Sequence, residues 1–201
     1  MLIKWGFALA VLLAVLLASM RYEAALTADA PKSHPRQVLL IRHAEKPPEE
    51  LMSDQLTDKG RERADALPKL FEKSDARPEA FAKPDFLFAG ANTKKSARST
   101  LTTAPLARAL NLKVSAKVDK EEFVKLTSAL LRDPKFVGKT VLVCWNHSNL
   151  PGFAKALGAE GVPEHWKDEV FDRVWVLTWD EKDVVSFKSE PQRLLPGDSK
   201  K

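Results

Sequence analysis

Two short apolar runs, each closing on a histidine, constrain this chain more than any other feature. They are Gln37-Val-Leu-Leu-Ile-Arg-His43 and Gly138-Lys-Thr-Val-Leu-Val-Cys-Trp-Asn-His147. Both are too short for helices, and neither alternates apolar with polar residues. Runs of this kind mark strands buried on both faces of a sheet. In open α/β sheets the carboxyl ends of such strands face the ligand crevice, so Arg42, His43 and His147 stand where a ligand would arrive. Taken alone, an Arg-His pair after a strand is an ordinary solvated loop start, and the rest of the chain has to decide.

The segments between and after these runs alternate in type. Residues 47–55 are polar and proline-bearing and read as a loop over the mouth of the site. Residues 56–67 predict a helix capped by Thr57, with Ala64, Leu67 and Phe71 on one face. Residues 83–89 predict a second strand, which leads through Gly90-Ala-Asn-Thr into a helix beginning near Ser96 and carrying Arg98. Ala97, Leu101 and Ala104 turn that helix toward the sheet. Pro105 removes the amide that would bond the Leu101 carbonyl, which predicts a kink or break. Residues 112–118 read as a third strand. Asp119 and Glu122 have capping-box spacing before a helix with Phe123, Leu126 and Leu130 on one face. After His147, Pro151 suits the first turn of a helix and Gly158 its end. Residues 173–179 alternate as a two-faced strand, 180–183 turn it, and 184–188 return as an antiparallel edge. The order predicts a three-layer αβα fold, a mostly parallel sheet with helices on both faces and one antiparallel edge strand.

A chain of 201 residues suits one such domain, assigned here to 37–190. Residues 1–30 read as a targeting segment: Lys4 supplies a positive start and Trp5 to Ala18 is an uninterrupted apolar or small run. Ala28-Asp29-Ala30 has small residues at cleavage offsets but is followed by Pro31, so a cleaved signal peptide and an uncleaved membrane anchor through residues 5–20 both stand. Either reading expects an exported protein, periplasmic or secreted. Residues 31–36 are a linker, and 191–201 are expected to be a frayed tail. The net charge of +5 favours anionic substrates weakly, and no basic stripe interleaved with aromatics points to nucleic acid. The single cysteine, Cys144, excludes an intrachain disulfide and a cysteine-based zinc site. His34 and His165 receive no role, and no oligomeric state follows from the sequence.

In order along the chain, Arg42-His43-Ala44, Leu56-Thr57-x-x-Gly60, Arg98 with Thr102, Pro105 and Leu106 at fixed offsets, and an apolar strand closing on Trp145-x-His147 form a set. This set resembles the histidine phosphatase superfamily, also called phosphoglycerate mutase-like, and within it the small phosphatases with short insertions. The resemblance implies a metal-independent phosphatase with no cofactor, acting on phosphomonoesters or phosphoproteins. It implies His43 as nucleophile, with Arg42, Arg98, His147 and the amide of Ser148 on the phosphate. Ala91 and Asn92 stand where the family usually writes a serine, a departure that touches loop contacts and not the arginine. Ser148 stands where other branches have an acid. The leaving-group proton donor stays open among Glu45, Glu121, Glu122 and solvent, the last two glutamates reading first as structural. Two other readings stand beside this one: a non-catalytic phosphate- or phosphoprotein-binding module, and a phosphotransferring mutase, which the short segment after Arg98 disfavours.

Overall fold

A computed structural model describes residues 34–200 apart from position 52. The targeting segment and the first half of the linker therefore lie outside the described residues. Among the described residues no helix is long and apolar enough to cross a membrane.

The described residues form six strands, β1 (Gln37–Arg42), β2 (Phe86–Ala89), β3 (Val114–Ser115), β4 (Thr140–Trp145), β5 (Arg173–Trp179) and β6 (Val185–Pro191). They form one sheet in the order β3-β2-β4-β1-β5-β6. The first four run parallel; β5 is antiparallel to β1, and β6 to β5. The helices are α1 (Asp58–Ala66), α2 (Arg98–Leu110), α3 (Phe123–Arg132) and α4 (Leu150–Ala156), joined by short 3-10 turns.

Side-chain alternation along the central strands produces the layers. Val38, Leu40, Val141, Val143 and Trp145 point to the face covered by Leu126 and Leu130 of α3 and by Leu150 and Phe153 of α4. Leu39, Ile41, Leu142 and Cys144 point to the other, against Leu106 and Ala107 of α2 and against Leu67 and Leu70. A strand covered on both sides has no polar face, which is why both runs read as unbroken apolar sequence. Cys144 is fully buried, and burial pushes its thiol up to about 12.

Four local expectations are corrected. α2 passes through Pro105 without a break, because Thr102, Thr103, Leu106 and Ala107 are buried on either side of it and packing outweighs the lost bond; the helix ends instead at Asn111, with left-handed φ of 52°. The third strand shrinks to Val114–Ser115 at the sheet edge. The reciprocal capping box does not form: Asp119 accepts from the Glu121 amide over a 3-10 turn, and Glu122 pairs with Lys125. The tail is not frayed. Gln192 is buried, its amide donates to the Asp172 carbonyl at 2.7 Å, and the Asp198 carboxylate pairs with Arg63 inside the protein.

Candidate active site

β1 and β4 lie side by side in register, Arg42 opposite Trp145, and the His43 amide donates to the Trp145 carbonyl at 3.1 Å. Asn146 and His147 leave the sheet at that point. β2 ends one strand away, where the Gly90 amide donates to the Cys144 carbonyl at 3.1 Å, and residues 90–97 carry the chain to Arg98, the first residue of α2. Three parallel strand ends thus bring the separate motifs to one rim.

His43, Arg98, Ser96, Lys120 and Asn146 line a crevice of about 60 Å³ there. His43 is 5% exposed, and its Nδ1 lies 2.9 Å from the Ala44 carbonyl. A carbonyl only accepts, so Nδ1 carries the proton and Nε2 keeps its lone pair. Burial first, then the charges of Arg42, Arg98 and His147, lower the His43 pKa to about 3 against that carbonyl's opposing pull. Arg98 Nε donates to Ser96 Oγ at 3.0 Å. Thr102 links the two halves: its hydroxyl donates to the Arg98 carbonyl at 2.8 Å and accepts the Ala44 amide at 2.9 Å.

The Leu-Thr-x-x-Gly stretch acquires a physical reason here. The Thr57 amide donates to the Glu45 carbonyl at 3.0 Å, and Thr57 Oγ1 caps α1 at the Gly60 amide at 3.0 Å. A Cβ on Gly60 would sit 2.3 Å from the Glu45 carbonyl oxygen. Only glycine lets the first turn of α1 lie against the loop that holds His43.

Arg42 is 1% exposed and lies beneath the segment 167–171. Its Nη1 donates to the carbonyls of Asp168 at 2.5 Å, Val170 at 3.1 Å and Lys167 at 3.3 Å, and the Phe171 ring sits 3.9 Å from its guanidinium carbon. Burial draws its pKa down to about 10, with Asp168 opposing, so it stays cationic at neutral pH. Its Nε is buried without a partner. His147 Nε2 lies 2.7 Å from Asp168 Oδ1, and its Nδ1 is buried and unpartnered. Burial and Arg42 lower the His147 pKa, and Asp168 resists.

The segment 166–171 was not singled out in the sequence. It has no motif, and it meets Arg42 only through contacts 125 to 129 residues apart. Lys120 and Asn146 also escaped notice, the first as a helix-start charge and the second as a spacer before His147.

The structure separates the three glutamates considered as proton donors. Glu45 is turned away from the crevice: Arg63 grips both its oxygens, with Nε at 3.1 and 3.0 Å and Nη2 at 2.8 Å. Glu122 is held by Lys125. Glu121 accepts from Asn149 Nδ2 at 3.1 Å and lies 3.6 Å from Lys120, in a turn whose Lys120 carbonyl accepts Trp145 Nε1 at 2.9 Å. Of the three, it stands next to a residue lining the crevice. Ser148 accepts from Asn146 Nδ2 at 2.6 Å. Among the described residues no group of three or more His, Cys, Asp or Glu side chains converges as a metal site.

The layered α/β domain carries histidines just beyond two adjacent strand ends and an arginine opening the helix after β2, the arrangement the motifs predict. No protein-family model matches the sequence, and no curated protein matches it. Solved structures do match. The protein histidine phosphatase SixA complexed with tungstate is 19% identical with a TM-score of 0.52, over 78% of this chain and 97% of that one. Phosphoserine phosphatase from Entamoeba histolytica in complex with 3-phosphoglyceric acid is 15% identical with a TM-score of 0.51, over 79% and 99%. Phosphoglycerate mutase from Plasmodium falciparum is 15% identical with a TM-score of 0.51, over 81% and 95%. At these identities the likeness is one of fold.

Proposed function

We propose that this protein is a histidine phosphatase that hydrolyses phosphomonoesters or a phosphoprotein through a phosphohistidine on His43. The observation that carries the reading is the state of His43: buried, unprotonated at neutral pH, with Nδ1 committed to the Ala44 carbonyl and Nε2 available in a crevice shared with Arg98. The fold neighbours named as phosphatases support the class of reaction without naming a substrate for this chain.

In the first step Nε2 attacks phosphorus and the bond to the leaving oxygen breaks. That oxygen takes a proton from solvent or from a group at the rim, where Glu121 is the carboxylate beside Lys120. In the second step water attacks phosphorus and gives its proton to solvent or to the same rim group, the P–N bond breaks, and Nε2 recovers its lone pair. Arg98, which lines the crevice, holds the non-bridging oxygens, and the resemblance adds Arg42 and His147, each charge-assisted bond contributing about 1.5–3 kcal/mol. The resemblance also adds the Ser148 amide to that set.

The full chain, purified in detergent, is mixed with an aryl phosphate in the presence of chelator and quenched in base. Chelator-insensitive turnover with an acid-labile phosphate on His43, both lost in His43→Ala, is the expected result. A folded protein that binds phosphate without turnover or adduct would instead be a binding module. Localisation outside the cytoplasm belongs to the same proposal and is supported by the run from Trp5 to Ala18 alone. Protease accessibility in intact cells tests it.

A further inference from the structure

Asn146 stands between the two histidine-bearing strand ends. It follows Trp145, whose carbonyl accepts the His43 amide, and it lines the crevice with His43, Arg98 and Lys120. Its Nδ2 donates to Ser148 Oγ at 2.6 Å, while its Oδ1 is buried and has no hydrogen-bond partner. A buried carboxamide oxygen left unpaired is a cost that folded proteins seldom carry without reason, and a crevice residue is where a ligand can remove it.

The carboxamide can turn about its last torsion and keep Ser148, because a hydroxyl both accepts and donates. That turn exchanges the positions of the acceptor and the NH2 donor on a side chain that lines the crevice. Arg98 and Lys120 make the crevice cationic, so the ligand it collects is rich in acceptor oxygens. Against such a ligand only the inward NH2 is attractive. We propose that Asn146 is a further substrate-binding residue: its Nδ2 turns inward and donates to a non-bridging oxygen of the phosphoryl group held by His43 and Arg98, while the Ser148 hydroxyl donates to its Oδ1. This rests on the phosphatase reading and adds a neutral donor beside the nucleophile. A third cation at that position would be repelled by Arg98.

The test compares the full-length wild type with Asn146→Ala and Asn146→Asp, by calorimetric titration with inorganic phosphate and by aryl phosphate turnover. Asn146→Ala should lose about 10- to 100-fold in both phosphate affinity and kcat/KM. Asn146→Asp has the same shape and can still receive the Ser148 hydroxyl, yet it turns a carboxylate toward phosphate and should lose more than the alanine variant. Being nearly isosteric, it also guards against a folding defect in the alanine variant. Wild-type values within twofold in either variant, while the wild type binds and turns over normally, overturn the role of Asn146 alone. A folded wild type that neither binds phosphate nor turns over overturns the underlying function, and this inference with it.

Discussion

Removing the Arg63 guanidinium should be among the costliest single changes outside the crevice. The Arg63 side chain is 3% exposed and bridges Glu45, 13% exposed, to Asp198, 4% exposed. It reaches Asp198 through Nη2 at 2.9 Å and Nη1 at 3.0 Å, and Gln192 Oε1 through Nη1 at 3.2 Å. In Arg63→Ala two largely buried carboxylates lose their shared cation, leaving Asp198 with the amides of Leu194 and Leu195 and Glu45 with Lys59 at 3.9 Å, and breaking a buried pair in this way costs about 3–5 kcal/mol. For a domain of this size one kcal/mol shifts the melting temperature by about 2–4 °C, so the variant should melt about 6–20 °C early at pH 7. Arg63→Met, which restores much of the volume and none of the charge, should fare little better. Acid supplies the sign check. Burial alone would raise the Asp198 pKa, but Arg63 and the amides of Leu194 and Leu195 hold it below its ordinary value. In the wild type this contribution is present above the unfolded pKa of about 3.9 and is lost as pH falls through the lower folded value. In Arg63→Ala the Asp198 pKa rises, so acid neutralises that carboxylate and the gap between variant and wild type should narrow toward pH 4. Thermal unfolding followed by circular dichroism reads both effects. A variant melting within about 2 °C of wild type at pH 7, or a gap that widens in acid, refutes the reasoning.

Gly60→Ala places a methyl group 2.3 Å from the Glu45 carbonyl oxygen, so α1 or the His43 loop must shift. A loss of about 1–3 kcal/mol in denaturant unfolding, with reduced turnover, is expected, and an unchanged midpoint would show that the helix is free to move. In long-range nitrogen-15 spectra the phosphate-free His43 imidazole should remain the Nδ1-protonated tautomer at pH 5, since its pKa lies at about 3; a midpoint near 6.5 would place the ring in solvent. In Asp168→Asn, His147 loses the one carboxylate that resists the lowering of its pKa by burial, Arg42 and Lys46. In the proposed mechanism His147 holds phosphate as its protonated ring, so the alkaline limb of kcat/KM should move to lower pH, and an unmoved limb would uncouple Asp168 from His147.

What the sequence disclosed of all this follows from the range of the interactions involved. β1 and β4 were legible because burial on both faces leaves no polar residue in Val38 to Ile41 or in Val141 to Trp145. Thr57 and Pro151 announced helix starts, since capping is decided within a few residues. β3 could not be sized, because strand length at a sheet edge depends on its neighbour, and β2 leaves it only Val114 and Ser115. The docking of 192–198 was invisible for the same reason: Asp198 reads as a tail charge until Arg63, 135 residues away, is brought to it. At the site, Arg42, His43, Arg98 and His147 came from local patterns. The carbonyls of Lys167, Asp168 and Val170 that hold Arg42 carry no side-chain signature at all.

The position of β1 in the sheet has a consequence for how the chain reaches this state. Its partners on the two sides are β4, beginning at Thr140, and β5, beginning at Arg173, so the first apolar strand gains neither neighbour until most of the chain has been made. Pairings so distant in sequence slow folding, because loop closure precedes the contacts that reward it. Through that interval Val38 to Ile41 is an unpaired β-prone segment, the kind that associates with other chains when it waits too long. The pattern that makes the crevice recognisable also makes its first strand an aggregation hazard while the chain is still unpaired.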